Sequence, residues 1–313
     1  MGRSVTIVPM DPELEAFLAL FPKADLTDPV EERKNFAALA AAIPVPEAAD
    51  LDVEDRTVPG TPDVPIRIYR PQGARAAIVW LHGGGFVMGD LDTEHPWATR
   101  VAEGAGVMVV SVGYRLAPEN PFPAAVDDAY AVLKWTADHA EELGVDADRI
   151  AVGGHSAGGG IAAAVALRAR DQGGPALCFQ LLNQPGLDDR QDTPSARSFT
   201  DTPWMNRDKV SDSWRHYLGG APATPYAAPA RATDLSNLPP AYVSTAEFCP
   251  NRDEGLDYAM RMLAAGVPVE LHQWAGTFHG SQAILSAEVS QRQLAELADV
   301  LRRAMSAYRE VPA

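Results

Sequence analysis

From about residue 56 onward, short apolar runs alternate with longer stretches in which apolar residues return every three or four positions. The short runs are Val64 to Tyr69, Ala76 to Leu81, Val107 to Val112, Ile150 to Gly153, Cys178 to Gln184, Ala241 to Phe248 and Val269 to Trp274. Each has the length of a strand, and most are rich in β-branched residues. Helical spacing marks Pro123 to Leu143, Ser156 to Arg170, Asp253 to Ala265 and a final Ser286 to Ala307. Buried strands that alternate with helices predict an α/β fold, with a mostly parallel sheet covered on both faces.

Two intervals fall outside this alternation. In the first fifty residues, Asp11-Pro12 reads as an N-cap and first helical position, and Leu14, Phe17, Leu18 and Phe21 follow at helical spacing. A second helix is expected from Asp28-Pro29 through Phe36 and Leu39 to Ala42. Residues 186–240 lack a strand, are rich in Pro, Ser, Thr and Asp, and contain one amphipathic segment, Asn206 to Leu218. A structureless loop of that length is improbable inside a compact domain, so the interval is read as an inserted cap with its own helix. The expected organisation is a core of residues 51–185 and 241–313, with residues 1–50 and 186–240 forming the cap.

Composition narrows the partners. Hydrophobic residues make up 46% and charged residues 22% of the 313, which is ordinary for a folded globular protein. With 42 acidic and 26 basic residues the net charge is −16, so nucleic acid and anionic bilayers are repelled and no nucleic-acid partner is expected. The absence of a long apolar run and of a charged, then apolar, leader in Met1 to Met10 predicts no membrane insertion and a cytoplasmic protein. Cys178 and Cys249 cannot form a disulfide framework and lack the spacing of a zinc site, so no metal is expected.

Three motifs carry chemistry. Gly154-His155-Ser156-Ala157-Gly158 lies between a strand and a helix, the context of a nucleophile elbow, where small neighbours let the backbones pass closely. Ser156 then starts a helix whose free N–H groups can stabilise a developing negative charge. His82-Gly83-Gly84-Gly85-Phe86 follows the strand Ala76 to Leu81, and its glycines let N–H groups face an oxyanion; a phosphate loop would carry Lys and Ser/Thr where Phe86-Val87 stand. The donors expected are the N–H groups of Gly84, Gly85 and Ala157. Of seven histidines, His279 alone follows the last strand and precedes the final helix, where a general base can reach Ser156. His82 is expected to fix the oxyanion loop, and His95, His139, His216 and His272 are read as surface or satisfied core residues.

Together these residues resemble the bacterial hormone-sensitive lipase family of carboxylesterases, within the α/β-hydrolase superfamily. The likeness extends to Tyr114-Arg115-Leu116-Ala117-Pro118-Glu119, Pro123 to Asp128, Asp253-Glu254-Gly255 and Phe278-His279-Gly280. It implies an α/β-hydrolase fold with a helical cap and a serine esterase without cofactor. Its partner would be a small-molecule ester with a short to medium acyl chain, and homo-oligomer formation is left open. Trp204, Met205, Trp214 and Tyr217, with Phe17, Phe21 and Phe36, are candidates for an apolar pocket, with cap packing as the alternative. The elbow usually has Asp or Thr where His155 stands. The larger departure is at the triad acid, because the family's loop begins with an Asp where this chain has Cys249. Glu247, two residues earlier on the same strand face, is the first candidate for the acid. Asp188, Asp189 and Asp253 stand behind it, and a centre with no working acid is the other alternative. A hydrolase-fold binding protein that has lost its chemistry is the rival reading.

Overall fold

The structure, a computed structural model, describes residues 9–18, 26–47 and 50–307. One sheet of eight strands forms its centre: β1 (Leu51–Val58), β2 (Val64–Pro71), β3 (Ala77–Leu81), β4 (Met108–Val112), β5 (Ile150–His155), β6 (Phe179–Asn183), β7 (Ala241–Phe248) and β8 (Val269–Phe278). Their spatial order is β1-β2-β4-β3-β5-β6-β7-β8. β4 through β8 run parallel, whereas β2 is antiparallel to both β1 and β4. The α/β-hydrolase fold expected from the sequence is the fold observed.

Alternation along each central strand divides the core into two layers. On β3, Val79 and Leu81 join the layer beneath α4 (Ala124–Asp138), α6 (Ala157–Gln172) and α9 (Arg252–Ala264). Ile78 and Trp80 join the opposite layer, beneath α3 (Leu91–Ala105) and α10 (Glu288–Ala307). Burial on both faces is why these strands read as unbroken apolar runs. β1 is absent from the sequence reading for the converse reason. Its residues, Leu-Asp-Val-Glu-Asp-Arg-Thr-Val, bury only Val58, as suits a charged edge strand that discourages pairing with other chains. α3 begins in a capping box between Asp90 and Thr93 and ends at Gly106 in the left-handed conformation.

Outside the core, α1 (Pro12–Glu15) and α2 (Pro29–Ala40) start at the expected caps Asp11 and Asp28. α1 is shorter than its apolar spacing suggests, and Phe21 lies outside the described residues. α5 (Ala140–Leu143) extends α4 by a turn, and the interval after β6 holds α7 (Pro194–Ser198) and α8 (Arg207–Leu218). α8 is capped by Asn206 and buries Val210, Ser213, Trp214 and Tyr217. Its Tyr217 stacks on Phe86 at 4.0 Å between centroids, which ties α8 to the glycine loop after β3. Among the described residues no helix is long and apolar enough to cross a membrane.

Candidate active site

The turn from β5 into α6 places Ser156 in a conformation that a non-glycine residue rarely adopts, φ 56° and ψ −121°. The surroundings hold it there. Its N–H donates to Asn183 O at 2.9 Å, and its carbonyl accepts from Gly160 N and Gly186 N, each at 3.1 Å. A Cβ at Gly158 would run into the Leu81 carbonyl, so this tight crossing of elbow and β3 requires glycine. The Ser156 hydroxyl makes no capping bond to its own helix and points instead to His279, whose Nε2 lies 2.8 Å away.

His279 follows β8, and the next residue is fixed by a bond from Gly280 N to Gln184 Oε1 at 3.0 Å. The other ring nitrogen, Nδ1, lies 3.1 Å from Cys249 Sγ. Both groups are buried, His279 with 4% and Cys249 with 1% of their surface exposed. Burial disfavours the charged form of each. It lowers the imidazole pKa to about 4, helped by the neighbouring His155, and pushes the thiol up to about 12. The pair is therefore a neutral thiol against a neutral imidazole at pH 7. The N–H groups of Asn251 and Arg252 also act on the sulfur in the sense that favours thiolate, but burial outweighs them.

Glu247 does not occupy the place expected of the acid. Its carboxylate accepts from Gly276 N at 2.7 Å, while Cys249 faces the imidazole. The expectation assumed unbroken alternation from Glu247 to Cys249, and the β7–β8 pairing shifts register between Ala246 and Phe248. The other carboxylates are also engaged elsewhere. Asp188 pairs with Arg190, Asp189 with Arg231, and Asp253 with Arg252 and the Ser195 N–H.

The glycine loop lies beside the elbow. Gly84 has φ 118° and Gly85 φ 59°, and among the described residues the N–H groups of Gly84, Gly85 and Ala157 donate to no partner. His82 holds the loop through Nδ1, 2.7 Å from Gly83 O, and its ring stacks on Tyr114 at 4.0 Å. The remaining histidines are satisfied: His95 by Tyr69, His139 by Trp135 O, His216 by Leu26 O and His272 by Glu296.

Above this centre lies a cavity of about 320 Å³, walled by Phe17, Phe36, Trp204, Met205, Ile284 and Leu285. Of the aromatic candidates, Trp214 and Tyr217 do not line it; they pack against Phe86 below. A pair that the sequence did not reveal does line it. Glu94 accepts from Trp80 Nε1 at 2.6 Å, and its other oxygen lies 3.2 Å from His155 Nε2. In sequence Glu94 resembles any acid in the first turn of a helix. Among the described residues no cluster of three or more His, Cys, Asp or Glu could hold a metal ion.

A serine hydroxyl against an imidazole, beside backbone N–H groups and an apolar cavity, is an arrangement that can carry out acyl transfer. The chain is similar to proteins named as esterases. A family model described as the alpha/beta hydrolase fold matches residues 78–283. The esterase LipI of Mycobacterium tuberculosis is 45% identical over 246 residues, 75% of this chain and 76% of its own. The carboxylesterase NlhH of the same organism is 43% identical over 284 residues, 87% and 88% of the two chains. A bacterial heroin esterase superposes with a TM-score of 0.92 at 44% identity, covering 96% of this chain and 99% of its own. With its fold, its sequence and its relatives in agreement, the chain belongs to the α/β-hydrolase family, on the hormone-sensitive lipase-like branch, and is a carboxylic ester hydrolase.

Proposed function

We propose that the protein is a serine carboxylesterase acting on small-molecule esters with short to medium acyl chains, in the cytoplasm, through Ser156 and His279. The observation that carries this reading is the 2.8 Å contact between Ser156 Oγ and His279 Nε2, made from a strained elbow. Ser156 Oγ attacks the ester carbonyl as His279 takes its proton. The N–H groups of Gly84, Gly85 and Ala157 receive the oxyanion, and His279 returns the proton to the leaving alcohol. A water then attacks the acyl-enzyme by the same route. Residues 1–50 and 186–240 serve as the cap, with Phe17, Phe36, Trp204 and Met205 forming the wall of the substrate cavity.

A fluorophosphonate probe, followed by peptide mass spectrometry, is expected to label Ser156. On p-nitrophenyl esters of graded length, activity is expected to peak at short to medium chains. An unlabelled Ser156 would favour a binding protein that has kept the pocket without the chemistry, and a maximum at palmitate would overturn the substrate range. The oxyanion loop gives an independent check. At Gly84 a Cβ would run into the Met88 carbonyl, so Gly84→Val must turn the N–H away. Steady-state kinetics should show kcat reduced by about 10² or more, the effect of losing one such donor, with a smaller change in KM.

A further inference from the structure

Behind the nucleophile a polar row crosses four strands, from the last residues of β5 and β6 to mid-strand positions on β7 and β8. His155 on β5 is in register with Asn183 on β6, Asn183 with Ser244 on β7, and Ser244 with His272 on β8. Alternation puts this row on the face of Ala151, Leu181 and Tyr242, which is otherwise the apolar layer beneath α3 and α10. Its members are linked in part. Ser244 Oγ donates to Asn183 Oδ1 at 2.6 Å, and His272 Nδ1 lies 2.6 Å from Glu296 Oε1, which also accepts from Tyr242 OH at 2.8 Å.

Two small cavities lie along the row. One, about 30 Å³, has the polar groups of His155, Asn183, Gln282 and Arg100 set in a wall that is otherwise apolar; the other, about 10 Å³, has those of Asn183, Ser244, Gln282 and Gln293 beside Leu294 and Leu297. Gln293 is 7% exposed, and its Oε1 has no hydrogen-bond partner among the described residues. Leaving such an atom dry costs free energy, and a polar space of roughly 10–15 Å³ is enough for one bound water. The first small cavity shares His155, Gln282 and Trp97 with the large cavity over Ser156. Its lining also includes Arg100 of α3 and Leu294 and Ala298 of α10, each half-buried.

We propose that this row is an internal water path that supplies the acyl-enzyme from behind. The proposal rests on the reading of Ser156 as the acylated residue. While an acyl chain fills the apolar front cavity, the polar row keeps water next to the elbow. In the step it serves, the water oxygen bonds to the acyl carbon as its proton passes to His279 Nε2. The bond from that carbon to Ser156 Oγ then breaks, Oγ takes the proton from His279, and the carboxylic acid leaves.

The test is the partition of the acyl-enzyme between water and a competing alcohol too large for the small cavities. With p-nitrophenyl butyrate and added 1-butanol, the ratio of butyl butyrate to butyric acid is measured in the wild-type protein, in Gln293→Leu and in Leu294→Phe. Both substitutions lie away from Ser156, and Leu294 lines both small cavities. The ratio is expected to rise at least threefold in each variant, with kcat/KM, which reports acylation, unchanged. The ratio does not depend on how much protein is folded. An unmoved ratio in both variants overturns the proposal. Failure of the underlying reading gives a different result, a wild-type protein whose Ser156 takes no fluorophosphonate label.

Discussion

Replacing Ser156 by alanine is expected to remove esterase activity, with kcat falling on the order of 10⁶-fold, as loss of the nucleophile does in a serine protease. The fold should survive. The constraints on residue 156 come from its backbone bonds to Asn183, Gly160 and Gly186, which an alanine keeps. The hydroxyl lost hydrogen-bonds to His279 Nε2 and does not cap α6. A variant with unchanged near-UV circular dichroism, no turnover of p-nitrophenyl acetate and no fluorophosphonate label is therefore the expected outcome. Activity clearly above the uncatalysed blank in that variant would sink the assignment of Ser156. The residual rate is also informative, because whatever remains belongs to the backbone donors and the cavity alone.

How much of this was legible in the sequence depended on whether function and local pattern coincide. β3 to β7 bury both faces, so their apolar runs marked them, and the elbow and glycine loop are contiguous motifs whose glycines answer to close backbone approaches. β1 was not legible, because an edge strand with charges on it has no buried face to announce it. The partner of His279 was misread for a related reason. Alternation assigns faces only while the ladder is regular, and one shift of register between Ala246 and Phe248 turns Glu247 to the Gly276 N–H. Glu94, Gln282 and Gln293 come from separate helical segments, Glu94 and Gln282 sharing the large cavity and Gln282 and Gln293 the smallest one, so no short window contains them.

Restoring a carboxylate with Cys249→Asp is expected to raise kcat by at least about tenfold with KM little changed, and two physical arguments lead there. The first is the tautomer. His279 can accept the Ser156 proton only if Nε2 is bare, which requires the ring proton on Nδ1 and an acceptor opposite it. A thiol can accept from Nδ1–H but can also donate to a bare Nδ1, and the second arrangement blocks the base; an ionised Asp can only accept. The second is charge. The imidazolium formed during attack has a neutral thiol beside it, and burial holds the His279 pKa down at about 4. The Asn251 and Arg252 N–H groups that act on the Cys249 sulfur would favour an ionised carboxylate in its place. In a serine protease, exchanging the acid for its neutral amide costs about 10⁴ in kcat, which bounds the gain from above. The pH profile separates this account from a general improvement in packing. The active form of His279 is the neutral one, so kcat/KM rises as pH passes upward through its free-enzyme pKa. An ordinary histidine puts that rise between about pH 5 and 8. Burial moves it in the wild-type protein down to about 4, which leaves the usual range nearly flat. A carboxylate at 249 favours imidazolium, so the acid limb of the variant must move to higher pH while its plateau in kcat stands above that of the wild type. Glu247→Gln is expected to keep near-normal kcat, since an amide oxygen still accepts from Gly276 N. A correctly folded Cys249→Asp with an unmoved limb and no gain in kcat would show that the thiol is not what limits His279, and a collapse of turnover in Glu247→Gln would return the role of acid to that residue.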